Sequence, residues 1–198
     1  MAAWPVQATP RPPARLDFRA LQEVAARAGL RPEPLGAALR NWERVAKIGL
    51  TARPVLTVID YTLPSRTRRL WVLDLAHPKV LVHELVAHGR GTGEDLARRF
   101  SNRPGSLQSS LGTFLTGSAY RGRHGLALRL RGLDRGLNDR AEARAIVIHG
   151  APYVSAAVAA SLGRLGRSQG CPALSPDAAA RVIALTRDGT VVFAYYRT

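Results

Sequence analysis

Gly166-Arg167-Ser168-Gln169-Gly170-Cys171-Pro172 carries the only cysteine in a chain of 198 residues. A structural cysteine sits most often inside an apolar run, packed as a small hydrophobe. Cys171 instead lies among Gly, Ser, Gln and Pro, where the backbone can turn sharply and its N–H groups can face a ligand. Upstream, the apolar run Ala145-Ile146-Val147-Ile148 ends in His149-Gly150. A lone thiol flanked by glycine, with a histidine at the end of an expected strand, has the makings of a nucleophile and its base. The imidazole would take the thiol proton to leave a thiolate. The N–H groups of Gly170 and Cys171 suit the oxyanion of a tetrahedral intermediate. No acidic third member stands out, because Asp134 and Asp139 fall in a turn-like stretch; a backbone carbonyl could orient the ring instead.

Working outward from that loop, Ser175-Pro176-Asp177 predicts a helix start, with Ala178 to Thr186 as its body. Strands are expected at 126–130, 144–149 and 191–196. Earlier, Val55 to Tyr61, Arg69 to Leu75 and Val80 to Ala87 are β-rich runs separated by turn residues, the pattern of a meander. Residues 88–122 are rich in glycine and serine and are expected to form long loops around one short strand, Gly112 to Leu115. Long loops in a compact domain are uncommon unless functional. Residues 16–50 read as two helices: Leu21, Val24 and Ala25 recur near the helical period, Gly29 stops the first, and Leu35, Ala38, Leu39, Trp42 and Val45 line one face of the second. The expected division is a Pro-rich extended tail (1–15), an N-terminal helical segment (16–50) and a catalytic domain (51–198). The fold class is β-rich α+β.

The apolar fraction of 46% is that of an ordinary globular domain. Charge is less ordinary: 29 Lys plus Arg against 14 Asp plus Glu gives +15. Such a balance draws polyanions, although arginines dispersed in this way also fit a simple scatter over solvated faces. One cysteine excludes an internal disulfide and any multi-cysteine metal site. No run approaches the ~20 apolar residues of a membrane span. The N-terminus lacks the apolar core of a signal peptide, so the chain reads as cytoplasmic or as a mature form whose signal was removed.

Three other constellations are weaker. In His83-Glu84-Leu85-Val86-Ala87-His88 the histidines are five apart on a strand-like run, which defeats the zinc-protease geometry of two histidines on one helical face. His83 is then a surface strand residue. Gly89-Arg90-Gly91-Thr92-Gly93 could cradle a phosphate, but it lacks the Gly-Lys-Ser/Thr ending of a P-loop and reads better as a tight loop. None of Ser106, Ser109, Ser110 and Ser168 sits in a Gly-x-Ser-x-Gly elbow. A nucleic-acid-binding module would explain the charge but would cluster its basic residues with exposed aromatics, and aromatics are only 6% of the chain.

At Ile148-His149-Gly150 followed by Ser168-Gln169-Gly170-Cys171, the chain resembles the L,D-transpeptidase catalytic (YkuD-like) family, in particular its murein L,D-transpeptidase catalytic domain branch. Further stretches carry the resemblance: Ala87 to Gly93, Phe100-Ser101-Asn102, Ser109 to Phe114, His124-Gly125 and Gly163 to Leu174. Gln169 and Pro172-Ala173 depart from the widespread Ser-His-Gly-Cys form. The resemblance implies a YkuD-like mixed β-sandwich/barrel and a cysteine acyltransferase acting on peptidoglycan stem peptides. Cys171 would form a thioester with the donor, giving a 3→3 cross-link between diaminopimelate residues. A 1→3 linkage from L-Ala, or hydrolysis of the same thioester by an L,D-carboxypeptidase, would use the same residues. His149 would be the base, the Gly150 carbonyl its orienter, and the Gly170 and Cys171 amides the oxyanion donors. Ser168, Arg167, Tyr120 and His124 would line the substrate groove. The resemblance further implies no cofactor and no metal, inhibition by carbapenems, no nucleic-acid partner, and a periplasmic or cell-wall location.

Overall fold

The computed structural model describes residues 16–122 and 125–197. The expected Pro-rich tail and His124 lie outside the described residues. Two helices come first, α1 (Phe18–Arg27) and α2 (Pro32–Lys47). Asp17 caps α1 by accepting from Ala20 N–H, and Gly29 follows in the left-handed region that ends it. The strands are β1 (Val55–Asp60), β2 (Arg68–Asp74), β3 (Lys79–Leu85), β4 (Gly112–Gly122), β5 (Gly125–Gly132), β6 (Val147–Gly150), β7 (Ala173–Leu174) and β8 (Val191–Tyr195). Helices α3 (Ala156–Leu162) and α4 (Pro176–Thr186) flank β7 in sequence. Ser175 caps α4 as its Ser-Pro-Asp start predicts.

All eight strands form one sheet, ordered β3-β2-β1-β8-β4-β5-β6-β7. β1 runs parallel to β8 and β6 to β7; the remaining neighbours are antiparallel. The two edges then meet. Ala87, just beyond β3, pairs antiparallel with Ala173 of β7, its N–H 2.8 Å from the Ala173 carbonyl. This contact nearly closes the sheet into a barrel, as the family resemblance implies, and it falls two residues from Cys171.

β1 and β2 are apolar at most positions because both of their faces are covered. Leu56, Val58, Trp71 and Leu73 pack under α1 and α2 with Leu21, Leu35, Leu39 and Trp42. Ile59, Leu70 and Val72 point the other way, into a core shared with Leu128, Ile148, Val192 and the α4 residues Val182 and Ile183. Each large side chain buried in this way contributes about 1.5–3 kcal/mol. Polar ties fix the helices to the sheet: Trp71 Nε1 donates to Ala28 O at 2.9 Å, Arg31 pairs with the buried Asp60, and Arg44 pairs with Asp134 at 2.6 Å.

Three expectations need correction. β4 extends to Gly122 rather than stopping at Leu115, because its glycine- and serine-bearing second half pairs with β5. The loop region therefore ends at residue 111. β6 starts at Val147, three residues later than the expected 144–149 strand. The N–H groups of Arg144, Ala145 and Ile146 bond back to the carbonyls of Arg140, Glu142 and Ala141 in helical turns instead. α3 has no counterpart in the sequence reading; none of its residues is buried, so it leaves no apolar stripe to read.

Candidate active site

Parallel pairing of β6 with β7 sets His149 opposite Ala173 and Gly150 opposite Leu174. Neighbouring strands lie about 4.8 Å apart, so this register brings the imidazole alongside the short segment that carries Cys171. Ile148 faces the α4 core with Leu128. Alternation then sends His149 to the opposite face, in line with Ala127 on β5 and Tyr120 on β4. Tyr120 thus shares the row of His149 two strands away, half-buried, with the Arg129 guanidinium 4.4 Å over its ring.

His149 is buried, and its Nδ1 lies 2.9 Å from the carbonyl oxygen of Gly150. A carbonyl can only accept, so Nδ1 carries the proton and Nε2 is left as the basic nitrogen. Cys171 Sγ accepts from Val147 N–H at 3.5 Å and donates to Ala145 O at 3.7 Å. Burial pushes the thiol pKa up, against the opposing pull of Val147 N–H and the Arg144 cation. The resting thiol is therefore protonated at neutral pH and needs a base to become a nucleophile.

The loop before Cys171 is held from several sides. Ser168 Oγ accepts from Gly170 N–H at 3.0 Å and donates to the Cys171 carbonyl at 2.6 Å. Ser168 is thus a buried internal clamp. The Gly170 amide, expected as an oxyanion donor, is engaged by that clamp, while Cys171 N–H makes no hydrogen bond among the described residues. Gly170 has φ +130, a conformation that favours glycine, and a Cβ there would lie 2.9 Å from Gln108 O. Its carbonyl accepts from Ser109 Oγ at 3.0 Å, and Ser109 Oγ in turn accepts from Gly89 N–H. Ser109 therefore fixes the Gly170–Cys171 peptide plane, leaving Cys171 N–H on the side away from Ser109.

The segment 87–90 forms the floor. Ser168 N–H donates to His88 O and Arg90 N–H to Ser168 O. Gly89 must be glycine because a Cβ would meet the Leu107 carbonyl and lie 2.7 Å from Gly170 Cα. The Gly89–Gly93 run is no phosphate cradle: the N–H groups of Gly89, Arg90, Gly91 and Thr92 are all spent inside the protein. Beneath it Arg69, fully buried, donates to Val86 O, Leu63 O and His88 Nδ1 and sits 5.1 Å over the Tyr61 ring. His83 stacks on Trp71 instead, away from any such network.

Arg167, an expected substrate contact, is largely committed: its Nη1 meets Glu94 at 2.6 Å and Gly93 O at 3.1 Å. Two site neighbours escape a reading of the sequence. Arg144 reaches the back of the cysteine loop, and Tyr153, its pKa pushed to about 12 by burial and then by Cys171, packs against Gly166 at the start of that loop. Neither carries a local sequence signal; Ser109 does lie in a stretch that supports the family resemblance. Among the described residues no group of three His, Cys, Asp or Glu could hold a metal ion. No described helix is long and apolar enough to cross a membrane.

Comparison with known proteins supplies the family. The family model described as L,D-transpeptidase catalytic domain matches residues 26–195. A search of the curated proteins finds no match. Among solved structures, the chain is similar to the helical cell shape determining protein Pgp2 from Campylobacter jejuni, at 14% identity over 73% of this chain and 48% of that one, with a TM-score of 0.50. It is also similar to an L,D-transpeptidase from Mycobacterium smegmatis (20% identity, 74% of this chain, 60% of that one, TM-score 0.45). A third is L,D-transpeptidase 3 from Mycobacterium tuberculosis, in complex with a faropenem-derived adduct (16%, 74%, 62%, TM-score 0.42). At these identities the likeness is one of fold, and the chain covers less than two thirds of each of these proteins. The family match spans most of the chain, so this protein belongs to the L,D-transpeptidase catalytic domain family.

Proposed function

We propose that this protein is a peptidoglycan L,D-transpeptidase that works through a Cys171 thioester and forms 3→3 links between diaminopimelate residues. The observation that carries the reading is the pairing of a committed imidazole with a lone thiol. His149 Nδ1–H is spent on Gly150 O, and the β6–β7 register sets the ring beside the cysteine segment. Family membership supplies the reaction class.

In this reading His149 Nε2 takes the Cys171 proton as sulfur attacks the donor carbonyl at the L-centre of diaminopimelate. Cys171 N–H, held outward by Ser109 acting on the Gly170 carbonyl, donates to the oxyanion. Collapse of the intermediate breaks the C–N bond, and His149 returns its proton to the departing D-alanine amine. The acceptor amine then attacks the thioester, loses its proton to His149, and releases the Cys171 thiol. Gly170 supplies the backbone conformation rather than a free donor. Tyr120, in the row of His149, and the remaining donors of Arg167 are the proposed substrate contacts, with His124; Ser168 shapes the loop from within. The +15 charge would attract the acidic stems and favour encounter at low salt. The same reading places the protein in the periplasm or at the cell wall and makes it a carbapenem target.

Incubation with purified disaccharide-tetrapeptides followed by mass analysis tests it. Cross-linked dimers that disappear in Cys171→Ala are expected. Tripeptide monomers alone would make the enzyme a carboxypeptidase, and dimers still formed by Cys171→Ala would refute the assignment of the nucleophile.

A further inference from the structure

Arg144 has no part in the steps above, yet it is built into the cysteine site. Its Nη2 lies 3.4 Å from the point where a Cβ on Gly170 would project, behind the loop that ends in Cys171. Its own backbone leads to the same place, since the next carbonyl, Ala145 O, accepts from Cys171 Sγ. Ala145 holds φ +53, which costs energy for a residue with a Cβ and persists only where the surroundings impose it. Side chain and main chain of this segment thus converge on the Gly170–Cys171 turn.

The partners of Arg144 are unusual for a half-buried cation. Nη1 donates to Ser101 O and Ser110 Oγ, both at 2.6 Å, and Nη2 to Gln108 O at 2.6 Å and Ser106 Oγ at 3.2 Å. All four acceptors are neutral, and no carboxylate among the described residues pairs with it. Buried cations are ordinarily paired, because an uncompensated charge is costly to desolvate. Here the charge is kept and its field is left unquenched. The ionisable group that feels it is Cys171. Among the described residues, the other groups facing the thiol are Tyr153 and Tyr61, each held protonated by burial and pushed to about 12, and His149 across the β6–β7 pair.

We propose that Arg144 is an electrostatic positioning residue: a cation without a counter-ion that favours the Cys171 thiolate while its fork binds the 101–110 segment to the back of the cysteine loop. It acts through Cys171 and touches no substrate. The proposal rests on Cys171 being the nucleophile. Until sulfur ionises, the site holds a positive charge with no partner; once it does, thiolate and guanidinium compensate each other.

The test is the pH dependence of Cys171 alkylation by iodoacetamide in the full chain, for wild type, Arg144→Gln and Arg144→Lys. Arg144→Gln is expected to raise the midpoint by about one pH unit and to slow alkylation at neutral pH about tenfold. Arg144→Lys keeps the charge but not the fork, and should return the midpoint toward wild type. An unchanged midpoint in Arg144→Gln, or equal shifts in both variants, would overturn the proposal, the latter leaving only a structural role. Should Arg144→Gln lose its circular dichroism signature, Ser106→Ala/Ser110→Ala carries the test. That variant keeps the cation and removes its hydroxyl partners, so the wild-type midpoint is expected and an upward shift of a full pH unit refutes the electrostatic role. Turnover of disaccharide-tetrapeptides by Cys171→Ala, measured alongside, reports separately on the nucleophile itself.

Discussion

Acid should destabilise this protein through His88, the residue under the floor of the cysteine loop. His88 is fully buried, with Nδ1 2.9 Å from Arg69 Nη2 and Nε2 3.3 Å from Gly93 O. A guanidinium can only donate, so Nδ1 must be bare and the proton sits on Nε2. Protonation would remove the acceptor that Arg69 uses and set two cations against each other. Burial first, and then the field of Arg69, lower the His88 pKa to about 4; the backbone carbonyls of Gly93 and Glu94 oppose this in part, and Arg167 adds a smaller downward push. An unfolded histidine titrates near 6.5. Between those two values the unfolded chain binds the extra proton, so stability falls as pH falls and levels off below about 4. Each pH unit in that window costs about 1.36 kcal/mol, so the loss attributable to His88 is about 2.5 kcal/mol on reaching pH 4.5. That is a large share of the roughly 5–15 kcal/mol typical of a domain. Urea unfolding at pH 7.5, 6 and 4.5 should show wild type losing about 2.5 kcal/mol more over the range than His88→Gln, which keeps an acceptor but does not titrate. Parallel losses in the two proteins would refute the reasoning.

Two substitutions test the scaffold around the thiol. Ser168→Ala strands Gly170 N–H and the Cys171 carbonyl in a buried loop, and should cost about 2–3 kcal/mol in urea unfolding and slow turnover at least about tenfold. Gly89→Ala drives a methyl onto the Leu107 carbonyl and Gly170 Cα, both backbone and unable to yield cheaply; a loss of about 2 kcal/mol or more, seen as a fall of several degrees in Tm, is expected.

The legible and illegible parts of the molecule divide on physical grounds. β1 and β2 announce themselves because burial on both faces demands largely apolar runs, as in Leu70 to Leu73. The helices α1 and α2 show one apolar stripe each, because each buries a single face. His149 and Cys171 stand out because their residue types are rare in this chain and chemically suited to each other. β4 beyond Leu115 is illegible: Gly117 and Ser118 have little strand preference, and the register with β5 imposes their conformation. The contributions of Ser109 and Arg144 cannot be read either. Each depends on a contact with a residue dozens of positions away, Gly170 for Ser109 and the 101–110 segment for Arg144. The direction of the Gly170 N–H is illegible for a related reason: glycine permits the turn, but Ser168, two residues earlier, accepts from that N–H and sets where it points.

The central claim is that Cys171 forms the covalent acyl-enzyme. A carbapenem tests it directly, because sulfur attack on the β-lactam carbonyl opens the ring, passes a proton to the ring nitrogen, and leaves the whole molecule attached. Intact-mass and peptide mass analysis after incubation should show one added carbapenem on the peptide containing Cys171, and none in Cys171→Ala. An adduct that persists in Cys171→Ala, or an unmodified Cys171 in folded wild-type protein, would contradict the account.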